Sequence, residues 1–501
     1  MRRLLSILSI ASALVSFADD SANYRTWDHF QPTDQAVDFV YGKSSVNRFW
    51  QYSTSLSEIS AGYQMRREDQ AAETWNGDGL DQGYFDAQAY VRMGKNGVAY
   101  AGAGYEYGEQ RNVVWNSTAD YEMLYPYILA DSVGGDLRSE QYHFYGGFAH
   151  RGGEWVYGLS GSYRAVHSYR QVDPRPRNMA TDLEFELSAA RILGKYALGV
   201  AAGARFYKQV LDVEYFSQTG ANSTQFQMTG LGQTYRRFDG VTYTETRHKG
   251  FGFNGEVSLL PTDGNGLFVL ARFSQLKMDR QIHELNEAPI TRLWTHRLSA
   301  ALGFKRQTEA FVHALSLEGA YERRQGEEAV VDNGYLGSYE ILDRHTLYDS
   351  HRYEGSLKWA MQWQNDCHRV SIVPQATAMR LVEQYIEPWA EMKRTEVLPG
   401  LLIDYQHATD AWLFQIGAQG SWRKNLNADF SVPARHVEPE ILAKLAYDHE
   451  RATADAVLIR PYAMAQRALG QGAVFFKAEY QRVFSDYGLN HGLHISVGYR
   501  F

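Results

Sequence analysis

The chain has 501 residues, a formal net charge of −8 and a single cysteine, Cys367. The acidic balance gives no reason to expect nucleic-acid binding, and one cysteine excludes an intramolecular disulfide framework. Beyond the N-terminal region no run of 18 apolar residues occurs, which argues against transmembrane helices. The 34 Tyr, 24 Phe and 11 Trp suit the aromatic girdles of a membrane β-barrel.

The N-terminus has the order of a secretory signal peptide. Two arginines follow the first residue, an apolar run covers residues 4–15, and a small-x-small cleavage site ends at Ala18. We therefore predict that residues 1–18 are removed and that the mature chain begins at Asp19. The apolar run is too short to span a bilayer.

Residues 19–48 are polar, with scattered aromatic side chains. This segment is too short to form the folded plug of a TonB-dependent receptor. It predicts an N-terminal periplasmic segment or a small plug, with a loosely ordered tail as the alternative. The barrel itself is predicted over residues 49–501.

Apolar and polar residues alternate from about Ser55 almost to the C-terminus. A period of two is typical of strands with one face in lipid and the other toward a polar lumen. Tight hairpins also alternate with long polar connections, as in outer-membrane barrels with short periplasmic turns and long extracellular loops. The long connections are predicted at roughly 109–140, 165–181, 208–250, 277–293, 322–352, 381–395 and 424–439.

Aromatic residues are spaced along two segments as membrane girdles would be. Trp412 and Trp422 lie ten residues apart on one face, and Tyr353 and Trp363 repeat the spacing. Ten residues span about 33 Å, which a strand tilt near 40° reduces to about 25 Å. This length matches the apolar band of a membrane barrel.

The fold class is therefore all-β: a transmembrane antiparallel up-and-down β-barrel of 18 or 20 strands. Both termini should lie on the periplasmic side, which requires an even number of strands. The choice between 18 and 20 depends on the last quarter of the chain. Candidate strands there lie near 440–447, 456–466, 473–483 and 492–501.

The last ten residues, 492–501, form the clearest amphipathic strand. Apolar or aromatic side chains occupy every second position and end at Tyr499 and Phe501. A terminal Phe with an aromatic residue two positions earlier resembles the C-terminal insertion signal of outer-membrane barrels. It predicts the barrel-assembly machinery as a partner; a soluble antiparallel edge strand is the alternative.

Residues 121–183 carry the most distinctive motifs. They include Tyr125-Pro126-Tyr127, the segment 131–137, Tyr163-Arg164-Ala165 and the segment 169–178. Together these motifs resemble an uncharacterised outer-membrane β-barrel family of Bacteroidota, domain of unknown function 6850. The resemblance implies the outer membrane of a Gram-negative bacterium and a barrel architecture. It implies no substrate and no catalytic residues.

Four arginines of this region form a candidate site: Arg164, Arg170, Arg175 and Arg177. If the strand containing Arg164 continues, the first two share its lumen face near Glu184 and Glu186. Guanidinium groups bind carboxylates and anions in a bidentate manner. The cluster is therefore either an internally salt-bridged loop over the barrel mouth or an anion-binding site.

Charges of both signs face the predicted lumen, which favours internal pairing over a uniformly charged pore. We expect the lumen to be partly occluded by residues 19–48, the 208–250 loop and the turn at 173–176.

The sequence contains little catalytic chemistry. The histidines are dispersed without metal-binding spacing, and Ser160 lacks a nucleophile-elbow pattern. No enzyme, metal or cofactor is predicted, although a Ser-His site on the wall stays open. The two leading functions are a transport or channel protein for a small solute and a structural or accessory barrel. Outer-membrane lipid is a predicted partner for either function, and the accessory role would add a TonB-dependent receptor, a surface lipoprotein or another envelope complex.

Overall fold

The computed structural model describes residues 36–42, 44–217, 224–332, 334 and 339–501. Within them, 18 strands form one closed antiparallel sheet in which each strand pairs with its neighbours in chain order. The first and last strands pair with each other and close the barrel. The predicted transmembrane up-and-down barrel is confirmed, with the lower of the two strand numbers. The predicted signal peptide lies outside the described residues.

The strands are long, and most exceed the length that crosses a bilayer. The barrel strands are β1 (Leu56–Glu68), β2 (Gly79–Met93), β3 (Gly97–Val113), β5 (Gly135–Gly152), β6 (Trp155–Arg170), β7 (Arg175–Leu193), β8 (Tyr196–Glu214), β11 (Thr246–Pro261), β12 (Gly266–Ile282), β13 (Ala288–Gln307), β14 (Phe311–Val331), β15 (Ile341–Gln364), β16 (His368–Tyr385), β17 (Ala390–Ala408), β18 (Trp412–Ser431), β19 (Ala456–Leu469), β20 (Gly472–Ser485) and β21 (Gly488–Arg500). A separate three-stranded sheet consists of β4 (Leu129–Ala130), β9 (Phe226–Gly230) and β10 (Gln233–Thr234).

Four α-helices occur among the described residues: α1 (Asp38–Tyr41), α2 (Ser45–Arg48), α3 (Tyr121–Leu124) and α4 (Pro439–Thr453). Short 3-10 turns cover Thr74–Asn76, Arg236–Phe238, His283–Leu285 and Ala434–His436. In the described part of the chain, no helix is both long enough and apolar enough to cross a membrane.

The prediction of a strand near 440–447 is wrong, because this segment belongs to helix α4. Pro439 occupies the first turn, where its missing N–H and fixed φ suit a helix start. Ile441 and Leu445 are buried one turn apart, so they form the apolar face of a helix. Removing this candidate leaves an even number of strands.

The two ends of the barrel differ in their connections. One end, here called the turn end, carries the tight hairpins, for example 94–96 between β2 and β3, and also the start of β1 and the end of β21. The opposite end, the loop end, carries three long connections, 114–134, 215–245 and 432–455. The turn and loop asymmetry agrees with the sequence pattern.

Four of the predicted long loops are mostly strand. The connections expected at 277–293 and 322–352 shorten to residues 283–287 and 332–340. The connection expected at 165–181 comprises only residues 171–174, because Tyr169 already pairs with Arg177 across β6 and β7. The connection expected at 381–395 likewise shortens to residues 386–389. These strands continue beyond the apolar band, where polar side chains on both faces hide the alternation.

The outer face of the barrel is apolar at mid-height. Ile416 is 59% exposed and Leu357 47% exposed, although both are large hydrophobic side chains. Trp412 and Trp422 are also exposed on this face, on either side of Ile416. A band of this kind is stable only against lipid.

We expect arginine at Ile416 or Leu357 to lower the free energy of unfolding by about 2–4 kcal/mol, because the guanidinium would enter lipid at mid-height. Arginine at the neighbouring Gln415 should cost much less, because Gln415 faces the lumen and donates to Asp404 at 2.7 Å. Denaturant titration in lipid vesicles, followed by tryptophan fluorescence, measures the difference. Equal losses at both kinds of position would contradict the assignment of faces.

Candidate functional site

The three long connections of the loop end fold inward and meet inside the barrel. Their apolar side chains form one buried cluster with lumen-facing wall residues; it includes Leu124 and Ile128 of the first connection, Leu231 of the second and Ile441 of α4. We call the described residues 114–134, 224–245 and 432–455 the cap. The cap fills the lumen at the loop end.

The first connection, residues 114–134, is the centre of the cap. Its strand β4 pairs with β9 of the second connection, so two loops share a small sheet. The ring of Tyr121 stacks on that of Trp75 with 4.4 Å between centroids. Burial raises the pKa of the phenols of Tyr121, Tyr125 and Tyr127, so these groups stay neutral in the cap.

Two of the four predicted arginines hold this connection. Arg164 donates to both carboxylate oxygens of Asp120 at 2.7 and 2.8 Å. Arg170 donates to Asp131 at 3.1 and 3.3 Å, and both side chains of this pair are fully buried. Asp131 also accepts from the Ser117 hydroxyl at 2.8 Å. Glu184 and Glu186 were expected beside these arginines, but the carboxylates that the arginines bind are aspartates of the cap.

The other two predicted arginines lie elsewhere. Arg175 donates to Asp173 at 2.6 Å, and its guanidinium lies 4.4 Å from the centre of the Phe216 ring. Arg177 is exposed and donates to His167 at 3.3 Å. The four arginines therefore do not converge on one anion site. The turn at 173–176 links β6 to β7, and Asp173 accepts from the backbone N–H groups of Phe216 and Ser217 just beyond β8 at 2.7 Å. It thus ties strand ends together rather than filling the lumen, which corrects the expected occlusion there.

Two further arginines support the cap and were missed in the sequence. Arg280, 1% exposed, donates to the carbonyl oxygens of Ile128 and Met228 at 3.1 and 3.3 Å. Arg324 donates to the carbonyl oxygens of Glu122 and Tyr125 at 2.6 and 3.3 Å. Both point inward by strand alternation, but their acceptors are backbone atoms, which carry no sequence signal.

Residues 36–50, without the undescribed residue 43, lie inside the barrel at the turn end. We call them the plug. Val40 and Val46 are fully buried, in apolar clusters that extend from β2 around the wall to β16. Asn47 donates to Glu256 at 3.2 Å and accepts from Ser258 at 2.9 Å. The plug therefore has both apolar and specific polar contacts with the wall.

Glycines of the wall make room for the plug. A Cβ atom at Gly158 would lie 2.7 Å from the Cβ of Ser45, and one at Gly199 would lie 3.2 Å from Oδ1 of Asn47. Ser45 also forms a hydrogen bond of 2.8 Å with the Tyr100 hydroxyl. The plug backbone thus approaches the sheet closely where the wall has no side chains.

A polar cavity of about 760 Å³ lies between the cap and the wall and is bounded on the cap side by residues 118–123. A second lobe of about 440 Å³ reaches Gly42 and Arg48 of the plug. The cavity beside the cap, here the upper lobe, and the second lobe beside the plug, here the lower lobe, share wall residues that include Glu184 and Arg272. Together they form one chamber from cap to plug. We call it the lumen chamber.

A separate cavity of about 540 Å³ lies on the opposite side of the lumen. It is lined by residues of β1, β20 and β21 and reaches Arg451 of α4. Arg451 donates to the carbonyl oxygen of Gln70 at 2.7 Å, which anchors α4 beside this cavity.

Charges of both signs on the lumen face pair with one another, either between neighbouring strands or across one intervening strand. Arg205 lies 3.3 Å from Glu184, and Arg297 lies 2.9 Å from Glu354. Arg205 also contacts Asp182 at 2.6 Å. These pairs line the wall with alternating charge instead of a field of one sign.

In the described segments, no group of three or more His, Cys, Asp and Glu side chains could hold a metal ion. Cys367 is exposed in a turn-end hairpin. Beside it, His368 and His407 lie with their Nδ1 atoms 3.3 Å apart. Ser160, singled out in the sequence, lines the lower lobe of the lumen chamber.

The C-terminal strand closes the barrel. Phe501 is 9% exposed, and its backbone N–H and carbonyl both pair with Ser57 at 3.0 Å. The Tyr499 hydroxyl donates to the carbonyl oxygen of Leu469 at 3.1 Å, and its ring stacks on that of Phe501. Both residues of the predicted insertion signal therefore lie at the turn end beside β1 and β20.

Solved structures with a similar fold are large outer-membrane proteins. BauA, the ferric preacinetobactin receptor of Acinetobacter baumannii, is 7% identical, with 89% of this chain and 80% of that chain covered and a TM-score of 0.40. The ferric enterobactin receptor of Pseudomonas aeruginosa is 8% identical over 89% and 80%, with a TM-score of 0.40. A bacterial polysaccharide outer-membrane secretin is 10% identical over 89% and 98%, with a TM-score of 0.36. These likenesses concern the fold alone.

No curated protein matches the chain. A family model does match: the family of unknown function DUF6850, over residues 47–501. The match includes every barrel strand and the whole cap. The chain therefore belongs to the DUF6850 family.

Proposed function

We propose that this protein is an outer-membrane barrel that passes a small solute and is closed at rest by the plug and the cap. The observation that carries the proposal is the lumen chamber, a polar space that lies between the two closures. A purely structural barrel needs no such space, because its lumen could be filled completely by side chains. The proposal is tested by measuring the conductance of planar bilayers that contain chains lacking the plug, the cap or both.

The membrane in this proposal is the outer membrane of a Gram-negative bacterium. The apolar outer band and its aromatic borders suit a bilayer, and a signal peptide would direct the chain through the inner membrane first. In this orientation the turn end faces the periplasm and the plug lies on that side. The cap lies toward the outside.

An accessory role is the second candidate, because apolar side chains are exposed on connections of the loop end. Val172, Phe216 and Trp389 are each more than half exposed, above the band that faces lipid. A TonB-dependent receptor or a surface lipoprotein is the kind of partner that would cover them. A photocrosslinking amino acid placed at position 389 in cells distinguishes the two roles. An accessory barrel gives a crosslinked partner protein, whereas a channel acting alone gives none.

The terminal strand is expected to direct assembly by the barrel-assembly machinery. Deleting Phe501 removes a buried ring and its backbone pairing with Ser57, and Phe501→Asp removes the ring; both changes should lower the amount of folded protein in the outer-membrane fraction. Heat-modifiable migration on gels measures the folded fraction. Normal levels of folded protein in the variant would contradict the insertion role.

A further inference from the structure

We propose that the lumen chamber binds neutral polyhydroxylated solutes, such as short oligosaccharides, in preference to anions or cations. This inference rests on the proposed passage of a small solute and names its chemical class. Three properties of the lumen chamber support the preference for neutral solutes: the balance of charges on its wall, the pairing of those charges, and its size.

The charged side chains that line the upper lobe are balanced in number. Five are arginines: Arg164, Arg205, Arg272, Arg297 and Arg324. Five are carboxylates: Asp120, Glu122, Asp182, Glu184 and Glu322. The lower lobe adds one charge of each sign, Arg48 and Glu186. The side chains that line the chamber therefore carry no net charge.

The five arginines of the upper lobe are already neutralised locally by carboxylates. Arg205 contacts Asp182 at 2.6 Å, and Arg297 contacts Glu322 at 3.2 Å. Arg324 contacts the same Glu322 at 2.9 Å. An anion entering the chamber would have to displace a carboxylate or remain beside one, and a cation would meet the guanidinium groups in the same way. Both lose hydration without a matching gain.

A hydroxyl group suits these pairs better because it both donates and accepts hydrogen bonds. It can donate to a carboxylate and accept from the adjacent guanidinium without separating them. The side chains of Glu184 and Arg297 remain 43% and 39% exposed within their pairs, so their polar atoms are available. Ser139, Ser274 and Thr295 add uncharged hydroxyls to the wall.

The remaining lining also suits a sugar-like solute. Trp75 and Tyr121, stacked on each other, line the upper lobe on the cap side and offer apolar ring surface beside the polar wall. The upper lobe, at about 760 Å³, falls within the range of about 300–1,000 Å³ that is typical of small-molecule sites. It is large enough for more than one sugar ring.

The test compares three trisaccharides that differ in charge: maltotriose, trigalacturonate and triglucosamine. Full-length protein in detergent is brought to equilibrium with each by prolonged dialysis, which allows for slow opening of the closures. We expect maltotriose to bind about tenfold more tightly than either charged sugar. Equal or tighter binding of a charged sugar, or binding of none of the three, would overturn the inference.

A single charge change should alter the preference. Glu184→Gln leaves Arg205 paired with Asp182 but gives the chamber one excess positive charge, so the ratio of trigalacturonate to triglucosamine binding should rise several-fold. Glu154→Gln is the matched control, because Glu154 is exposed in a turn-end hairpin. The same shift in both variants, or in neither, would contradict the role of the chamber charges.

These outcomes are separate from those of the proposed function. Preferential binding of maltotriose with no conductance in any closure deletion would support the ligand class and contradict passage. Conductance without any preference among the sugars would support passage and contradict the ligand class.

Discussion

Removal of both closures is expected to open the barrel, whereas removal of either one leaves it nearly closed. The plug and the cap lie one after the other along the lumen, so their resistances to ion flow add in series. A chain lacking residues 19–50 retains the cap, and a chain in which Gly-Ser linkers replace the three cap segments, 114–134, 224–245 and 432–455, retains the plug. With both changes, a barrel of 18 strands encloses a water-filled lumen, as porins of similar size do.

Planar-bilayer recordings measure this effect. We expect the doubly deleted barrel to conduct on the order of tenfold or more above the sum of the two single deletions, since wide barrels form aqueous channels. A chain in which a Gly-Ser linker replaces residues 386–389 serves as the control, because this connection lies at the loop end outside the cap. A full-length protein that already conducts like an open porin would contradict the closure model.

Loss of the Arg170 side chain is expected to release the first connection of the cap. In Arg170→Met, Asp131 stays buried without its counter-ion, and breaking a buried pair in this way costs about 3–5 kcal/mol. Hydrogen exchange of residues 114–131 measures the free energy of local opening. Because Asp131 also accepts from Ser117 and from the Gly134 N–H at 2.8 Å, the loss should extend through the whole turn.

Two variants separate this effect from general damage. Arg170→Met combined with Asp131→Leu removes both charges and should recover most of the lost protection, because apolar replacement of a buried pair is often close to neutral. Arg175→Met should change protection by less than about 1 kcal/mol, because Arg175 is 40% exposed. Equal losses in Arg170→Met and Arg175→Met would contradict the role of the buried pair.

Part of the cap could be predicted from the sequence and part could not. The motifs at 125–127 and 131–137 are distinctive, and Arg164 and Arg170 fall on the lumen face by alternation. Their partners could not be predicted, because Asp120 and Asp131 belong to a different connection, 44 and 39 residues away. A guanidinium pairs with whichever carboxylate the fold brings near, and sequence spacing does not encode that distance.

By itself, the sequence determined the barrel. Lipid requires an apolar side chain at every second position of each strand, and Trp412, Ile416 and Trp422 show this pattern directly. Only the tertiary structure decided what fills the lumen. Residues 36–50 and 439–453 are polar or amphipathic segments. Each is so short that its spacing of apolar residues is compatible with a loop, a strand or a helix. Residues 36–50 pack inward where wall positions such as Gly158 and Gly199 leave room for them, and residues 439–453 pack inward through Ile441 and Leu445 onto the apolar cluster of the cap. Both fits depend on the closed barrel.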